Sequence, residues 1–125
     1  MEFMRAREAE VYAVLRIVTG FLFQWHGMQK LFNFPEPMPE GVPAFIIWVA
    51  GPLELFGGLL VMVGLFTRPV AFVMSGLMAC AYWMAHGLKA LLPSTNGGEL
   101  AALYCFLFLF ISARGSGIWS LDGGD

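Results

Sequence analysis

The chain has 125 residues, of which 58% are apolar and 13% charged, whereas an ordinary soluble domain is about 45–50% apolar and about a quarter charged. Its mean hydropathy is +0.71. This composition excludes a water-soluble globule and a disordered tail. The net charge of −2, with Lys and Arg scattered along the chain, gives no nucleic-acid surface.

A bilayer-spanning helix takes about 20 residues, so four fit with short loops and leave no room for a soluble catalytic domain. Four apolar stretches are read in chain order, roughly residues 11–32, 43–66, 69–92 and 98–113. None alternates like a strand, and an open sheet edge in lipid would leave backbone groups unpaired, so helices are expected. The first stretch contains Arg16 and His26 and lacks a small-x-small site before Asn33, so it is expected to be a span rather than a cleaved leader. The breaks are explicit. Residues 33–41 hold Pro35, Pro37 and Pro39, Thr67-Arg68-Pro69 forms a tight turn, and residues 93–97 separate the third stretch from the fourth. Pro52 frees the carbonyl of Trp48 and is expected to kink the second helix.

Connections this short make neighbouring helices antiparallel. Arg5, Arg7, Arg68 and Arg114 fall on the side that holds both termini, while Lys30 and Lys89 lie opposite with Glu36, Glu40 and Glu99. The positive-inside rule then places both termini in the cytoplasm. The expected architecture is an all-α integral membrane four-helix bundle of up-down antiparallel topology, forming one domain over residues 1–125.

Ionisable groups inside spans are costly in hydrocarbon, face the bundle interior and mark function. Four stand out: Arg16, His26, Glu54 and His86. Helical rise puts Arg16 roughly 13 Å and Glu54 roughly 20 Å from the side of the termini. A long guanidinium can close that gap, so an Arg16–Glu54 ion pair is expected, serving either function or helix register. At 100° per residue, Arg16, Gly20, Phe23, Gln24, Gly27 and Lys30 share one arc of the first helix, with His26 at its edge. Gly51, Glu54, Gly58 and Val61 line the second helix, and Ser75, Ala79, Tyr82, His86 and Ala90 the third. Small residues on these faces allow close approach of backbones.

His26 and His86 come out at roughly 28 Å and 26 Å by the same count, near the outer interface. Two histidines at one level could ligate a haem, share a metal, bind a quinone head group or relay protons. Haem is the less favoured of these, and no residue is assigned as a metal ligand. Glu99 suits the first turn of the fourth helix, and Asn96 can cap it; Glu99 also collects with Lys30, Lys89, His26 and His86 near the outer face, where a polar pocket rimmed by Gln29, Lys30 and Asn96 is expected. Cys80 and Cys105 lie on neighbouring helices at similar depth, as packing residues or as a pair. No phosphate loop, CxxC, HExxH or GxSxG occurs.

The run Gly51-Pro52-Leu53-Glu54-Leu55-Phe56-Gly57-Gly58-Leu59-Leu60, continuing to Gly64-Leu65-Phe66-Thr67-Arg68, resembles the DoxX family of small four-helix membrane proteins. Arg16, Gly20, Gly27 and Lys30 fit the same pattern. So do Asn96-Gly97-Gly98-Glu99-Leu100-Ala101 and the closing Gly115-Ser116-Gly117-Ile118-Trp119-Ser120-Leu121-Asp122. The resemblance covers nearly the whole chain. It implies a prokaryotic inner-membrane location and a redox context, since family members include subunits of quinone-linked oxidoreductases.

The expectation is therefore a membrane subunit of a quinone-linked oxidoreductase or redox-stress system. His26, His86, Glu54 and Arg16 take catalytic roles, and Gln24, Lys30, Tyr82, Asn96 and Glu99 form the ligand site, with quinone as the cofactor. Its partners are the lipid bilayer, proteins of a membrane redox complex or further copies of itself, and no nucleic acid. A non-catalytic scaffold within a larger complex and a small-molecule or proton conduit are the alternatives.

Overall fold

The computed structural model describes residues 1–125 and is all-helical, without a β-strand. A short α1 (Glu2–Arg5) precedes four long helices, α2 (Glu8–Phe32), α3 (Gly51–Val63), α4 (Thr67–Ala85) and α6 (Glu99–Arg114), with a one-turn α5 (Pro93–Asn96) before the last. Only Ile46–Val63 is apolar enough over sufficient length to cross a membrane by those two criteria alone.

The four helices associate as two antiparallel pairs. In the first, α2 and α3 touch backbone to backbone. A Cβ on Gly20 would lie 2.5 Å from the Gly58 carbonyl oxygen, and one on Gly58 would lie 2.8 Å from the Gln24 nitrogen. Gly27 is pressed as closely against Gly51 and Leu55. No residue with a side chain fits these crossings, which is how small residues let helix backbones approach closely. In the second pair, the Ser75 hydroxyl of α4 donates to the Cys105 carbonyl of α6 at 2.7 Å. The pairs meet through large side chains. Phe23 of α2 sits edge-on to Tyr104 and Phe108 of α6, with centroids 5.1 and 4.7 Å apart. These rings, with Met74, Val61 and Ile111, form the core.

The facing arcs expected on α2 and α3 are the buried ones: Arg16, Gly20, Phe23, Gln24 and Gly27 on α2, and Gly51, Glu54, Gly58 and Val61 on α3. Two boundaries differ from expectation. Ahead of Pro52 the helix widens over Ile46–Ala50, where the Gly51 N–H bonds the Ile46 carbonyl five residues back as well as that of Ile47. The missing proline N–H is thus absorbed by a wider turn rather than by a bare kink. The third apolar stretch was expected to run to residue 92, but α4 ends at Ala85. His86 leaves helical geometry, and the His86 and Gly87 N–H groups both bond the Tyr82 carbonyl. Leu88, Leu91 and Leu92, which make the stretch look like a longer span, are exposed in the connection. Ala90 therefore does not extend the buried stripe of α4.

The α3–α4 turn closes in a Schellman arrangement on Gly64 (φ 71°), with the Leu65 N–H bonding the Leu60 carbonyl and that of Gly64 bonding Val61. The residues after α6 fold back against this turn: the Leu121 N–H bonds the Val63 carbonyl at 3.1 Å and that of Asp122 bonds Gly64 at 2.8 Å.

Candidate functional site

Arg16 is completely buried and does not pair with Glu54. Its Nε donates to the Val61 carbonyl at 3.1 Å. One terminal nitrogen, Nη1, donates to the carbonyls of Ser116 and, at 3.0 Å, Ile118; Nη2 donates to Trp119 at 2.7 Å and Met62 at 3.5 Å. A guanidinium has five N–H donors, and all five are spent. Two of the acceptors are carbonyls of the last turn of α3, which carry the negative end of the helix dipole; the other three belong to the C-terminal loop. The expected ion pair is overturned because carbonyls on both sides satisfy the cation at its own depth, leaving it no free donor. Arg16 joins α2, α3 and the loop, and has nothing left to offer a ligand.

Across the same turn, Asp122 caps α4 from the loop. Its two carboxylate oxygens accept the Phe66 and Thr67 N–H groups at 2.9 and 2.8 Å. Desolvation works to raise the Asp122 carboxyl, but the Thr67 and Phe66 donors and the Arg16 charge outweigh it and hold the group below its ordinary value of 3.8.

Glu54 takes a different partner. Its Oε2 lies 2.7 Å from the Lys30 ammonium, with both side chains largely buried. The contact is charge against charge without an aligned hydrogen bond, for Oε2 accepts none of regular geometry. Lys30 has no other partner among the ion pairs and side-chain hydrogen bonds of the protein, so its ammonium retains unused donors beside the carboxylate. Glu54 follows the widened turn directly, and Lys30 leans on Gly51 in that turn, its Cβ 3.2 Å from where a Gly51 Cβ would sit. His26, one helical turn before Lys30, packs against Phe23 and Tyr104 with centroids 6.2 and 5.9 Å away.

At the same end of the second pair, Asn96 organises a small polar cluster. Its Nδ2 donates to the Tyr82 hydroxyl at 3.0 Å and its Oδ1 accepts the Gly98 N–H at 2.8 Å, starting α6. The His86 Nδ1 is 3.3 Å from the Asn96 carbonyl; a carbonyl only accepts, so Nδ1 is the donor in this contact. Glu99 is exposed in the first turn of α6, and Gln24 is buried against Gly58. The structure thus brings Lys30 to Glu54, and Tyr82 and His86 to Asn96, while His26 and His86 each have their own neighbours.

The DoxX family profile matches residues 11–87. This chain belongs to the DoxX family. Over 88% of its length it is 42% identical to an uncharacterized protein of Haemophilus influenzae, covering 87% of that protein. Over 87% of its length it is 31% identical to a Bacillus subtilis protein named "Putative oxidoreductase CatD", covering 82% of it. No solved structure matches the chain. The DoxX match contains Arg16, His26, Lys30, Glu54 and His86, whereas Asn96, Glu99 and the loop that receives Arg16 lie beyond it. DoxX proteins are membrane-associated as a family. In this one both cysteines are free thiols, Cys80 exposed and Cys105 half-buried.

Sequence reasoning assigned no role to Ser116, Ile118, Trp119 or Asp122. Their signal was present as the glycine-rich closing run, but a loop that contributes carbonyls through its backbone has no side-chain signature.

Proposed function

We propose that this DoxX protein is an integral subunit of a quinone-linked redox system in a prokaryotic inner membrane, crossing it four times with both termini in the cytoplasm. Support for the location comes from the outer surface, where Val14, Val18, Phe56, Phe72, Leu103 and Phe106 stand exposed on all four long helices, an arrangement that water would penalise and lipid favours. Support for redox work comes from the family and from the name of the Bacillus subtilis relative.

The observation that carries the reading is the Lys30–Glu54 pair, a buried ammonium with spare N–H groups 2.7 Å from a carboxylate oxygen to which it makes no aligned hydrogen bond. This set suits a ligand bearing both an acceptor and a donor oxygen. A quinone head group supplies carbonyl oxygens and, once reduced by electrons from a partner subunit, hydroxyl groups. Lys30 donates to the acceptor and Glu54 accepts from the donor. His26 exchanges protons with solvent one turn away, and His86 with Tyr82 provides a second exchange point on the facing pair.

The test is binding of a short-chain quinone to the purified protein in detergent, comparing wild type with Glu54→Gln, His26→Ala and His86→Ala. Glu54→Gln is expected to weaken binding by about tenfold, the worth of one hydrogen bond to a charged group. Equal binding by all four proteins overturns the assignment. Stoichiometric copurification with a partner and no quinone bound points instead to the scaffold.

A further inference from the structure

Two clefts of about 470 and 460 Å³ lie at the end of the molecule that holds both termini. They share Tyr12 and Arg114 and differ in their walls. The first is floored by Ala9, Gly123 and Gly124 and closed by the loop residues Gly117–Ser120. The second runs along α2 and α6 beside Val11, Leu15 and Phe110, all exposed. Arg114 stands between them, its guanidinium 4.6 Å from the centroid of the Tyr12 ring. The Tyr12 hydroxyl donates to the Gly115 carbonyl at 2.5 Å, so the ring that carries Arg114 is itself tied down.

The loop has two electrical faces. The carbonyls of Ser116, Ile118 and Trp119 point inward to Arg16. None of the N–H groups of Gly117, Ile118, Trp119 and Ser120 bonds an acceptor in the protein, and these four residues line the first cleft. Peptide units turned carbonyl-inward around a cation present the N–H groups that follow, those of Gly117, Trp119 and Ser120, on the other side, and free N–H groups beside a guanidinium form a concavity for an anion. The one acidic partner of Arg114 is Glu8, 3.4 Å away and largely exposed, a contact worth little in water and readily displaced. Ile118, Trp119 and Leu121 extend exposed apolar side chains from the same loop, as groups at a membrane surface do.

We propose that Arg114 and the outer face of the loop bind the phosphate of an anionic phospholipid, with its acyl chain along Val11, Leu15 and Phe110. The adjoining apolar groove favours a lipid phosphate over a free one. This site rests on the membrane reading above and not on the quinone assignment.

Native mass spectrometry of the full-length protein, released from micelles with equal phosphatidylglycerol and phosphatidylcholine, tests it. Wild type is expected to retain phosphatidylglycerol preferentially, and Arg114→Gln to lose about fivefold of that preference, the worth of one arginine near an anionic surface. Glu8→Gln removes the competing carboxylate and is expected to raise the preference; it decides the matter should Arg114→Gln fail to fold. An unchanged preference in Glu8→Gln and in a folded Arg114→Gln overturns the site. Displacement of the lipid by millimolar inorganic phosphate overturns the lipid as the occupant. Failure to insert into vesicles of either lipid overturns the membrane reading, and the site with it, whereas insertion without preference overturns the site alone.

Discussion

Arg16 and Glu54 lie between the same two helices, near opposite ends, and are held in opposite ways. Arg16 meets five carbonyls with its five donors and is sealed from solvent. Glu54 meets a single ammonium and keeps an oxygen that accepts no aligned hydrogen bond. Both are buried charges on a glycine-lined face, so the residue type and its depth do not separate them. What separates them is completeness. A charge whose every donor is used holds the fold together, and one left half-satisfied has capacity for a ligand. Arg16 therefore moves from the catalytic set to the architecture, while Lys30 and Glu54 become the centre of the proposed site.

The contrast breaks most visibly at Arg16. Arg16→Met strands carbonyls of α3 and of the loop in the interior and is expected to cost more than about 3 kcal/mol, read as loss of folded protein in a detergent melt. Arg16→Lys is expected to rescue little of this, since three donors on a flexible stem cannot reproduce a planar fork of five. Survival of the fold in Arg16→Met would show that the loop docks without it. Next in size is Gly20→Ala, whose added Cβ meets the Gly58 carbonyl; about 1–3 kcal/mol of overpacking is expected, seen in the same melt.

Asp122→Asn comes third, at about 1 kcal/mol for a weakened cap, and it has a pH signature. The folded carboxyl titrates below its ordinary value of 3.8, so its contribution to stability is full above that value. The contribution is lost as pH falls through the lower folded value. Stability of the wild type measured from pH 6 down to 3 should therefore show an acid slope that Asp122→Asn reduces; equal slopes would mean the cap carries no charge-dependent stability. The smallest effect on stability is expected for Glu54→Gln, below about 1 kcal/mol, because Gln keeps an oxygen near Lys30 and the long Lys30 stem can carry its charge toward the surface. Loss of quinone binding with a nearly unmoved melt would complete the contrast with Arg16.

Much of the frame is legible in the sequence. The apolar stretches locate the long helices, and the 100° spacing of Gly20, Gly27, Glu54 and Gly58 identifies the faces that meet. The extent of α4 is misjudged because hydropathy cannot tell an exposed connection carrying Leu88, Leu91 and Leu92 from a continuing helix. The choice of ion-pair partner is misjudged for a related reason. Depth along a helix is readable to within a turn, but a guanidinium and an ammonium on one arc can each reach a carboxylate, and the carbonyls that compete for them belong to no residue type.

Composition and periodicity alone determine that this chain is helical, that the charges Arg16 and Glu54 within its apolar stretches turn inward and which faces hold them, because these follow from local geometry and from the cost of burying charge. Only the tertiary structure decided that Lys30 meets Glu54 and that a loop a hundred residues downstream encloses Arg16, because backbone acceptors are common to every residue and acquire an identity only when the chain folds them to one place.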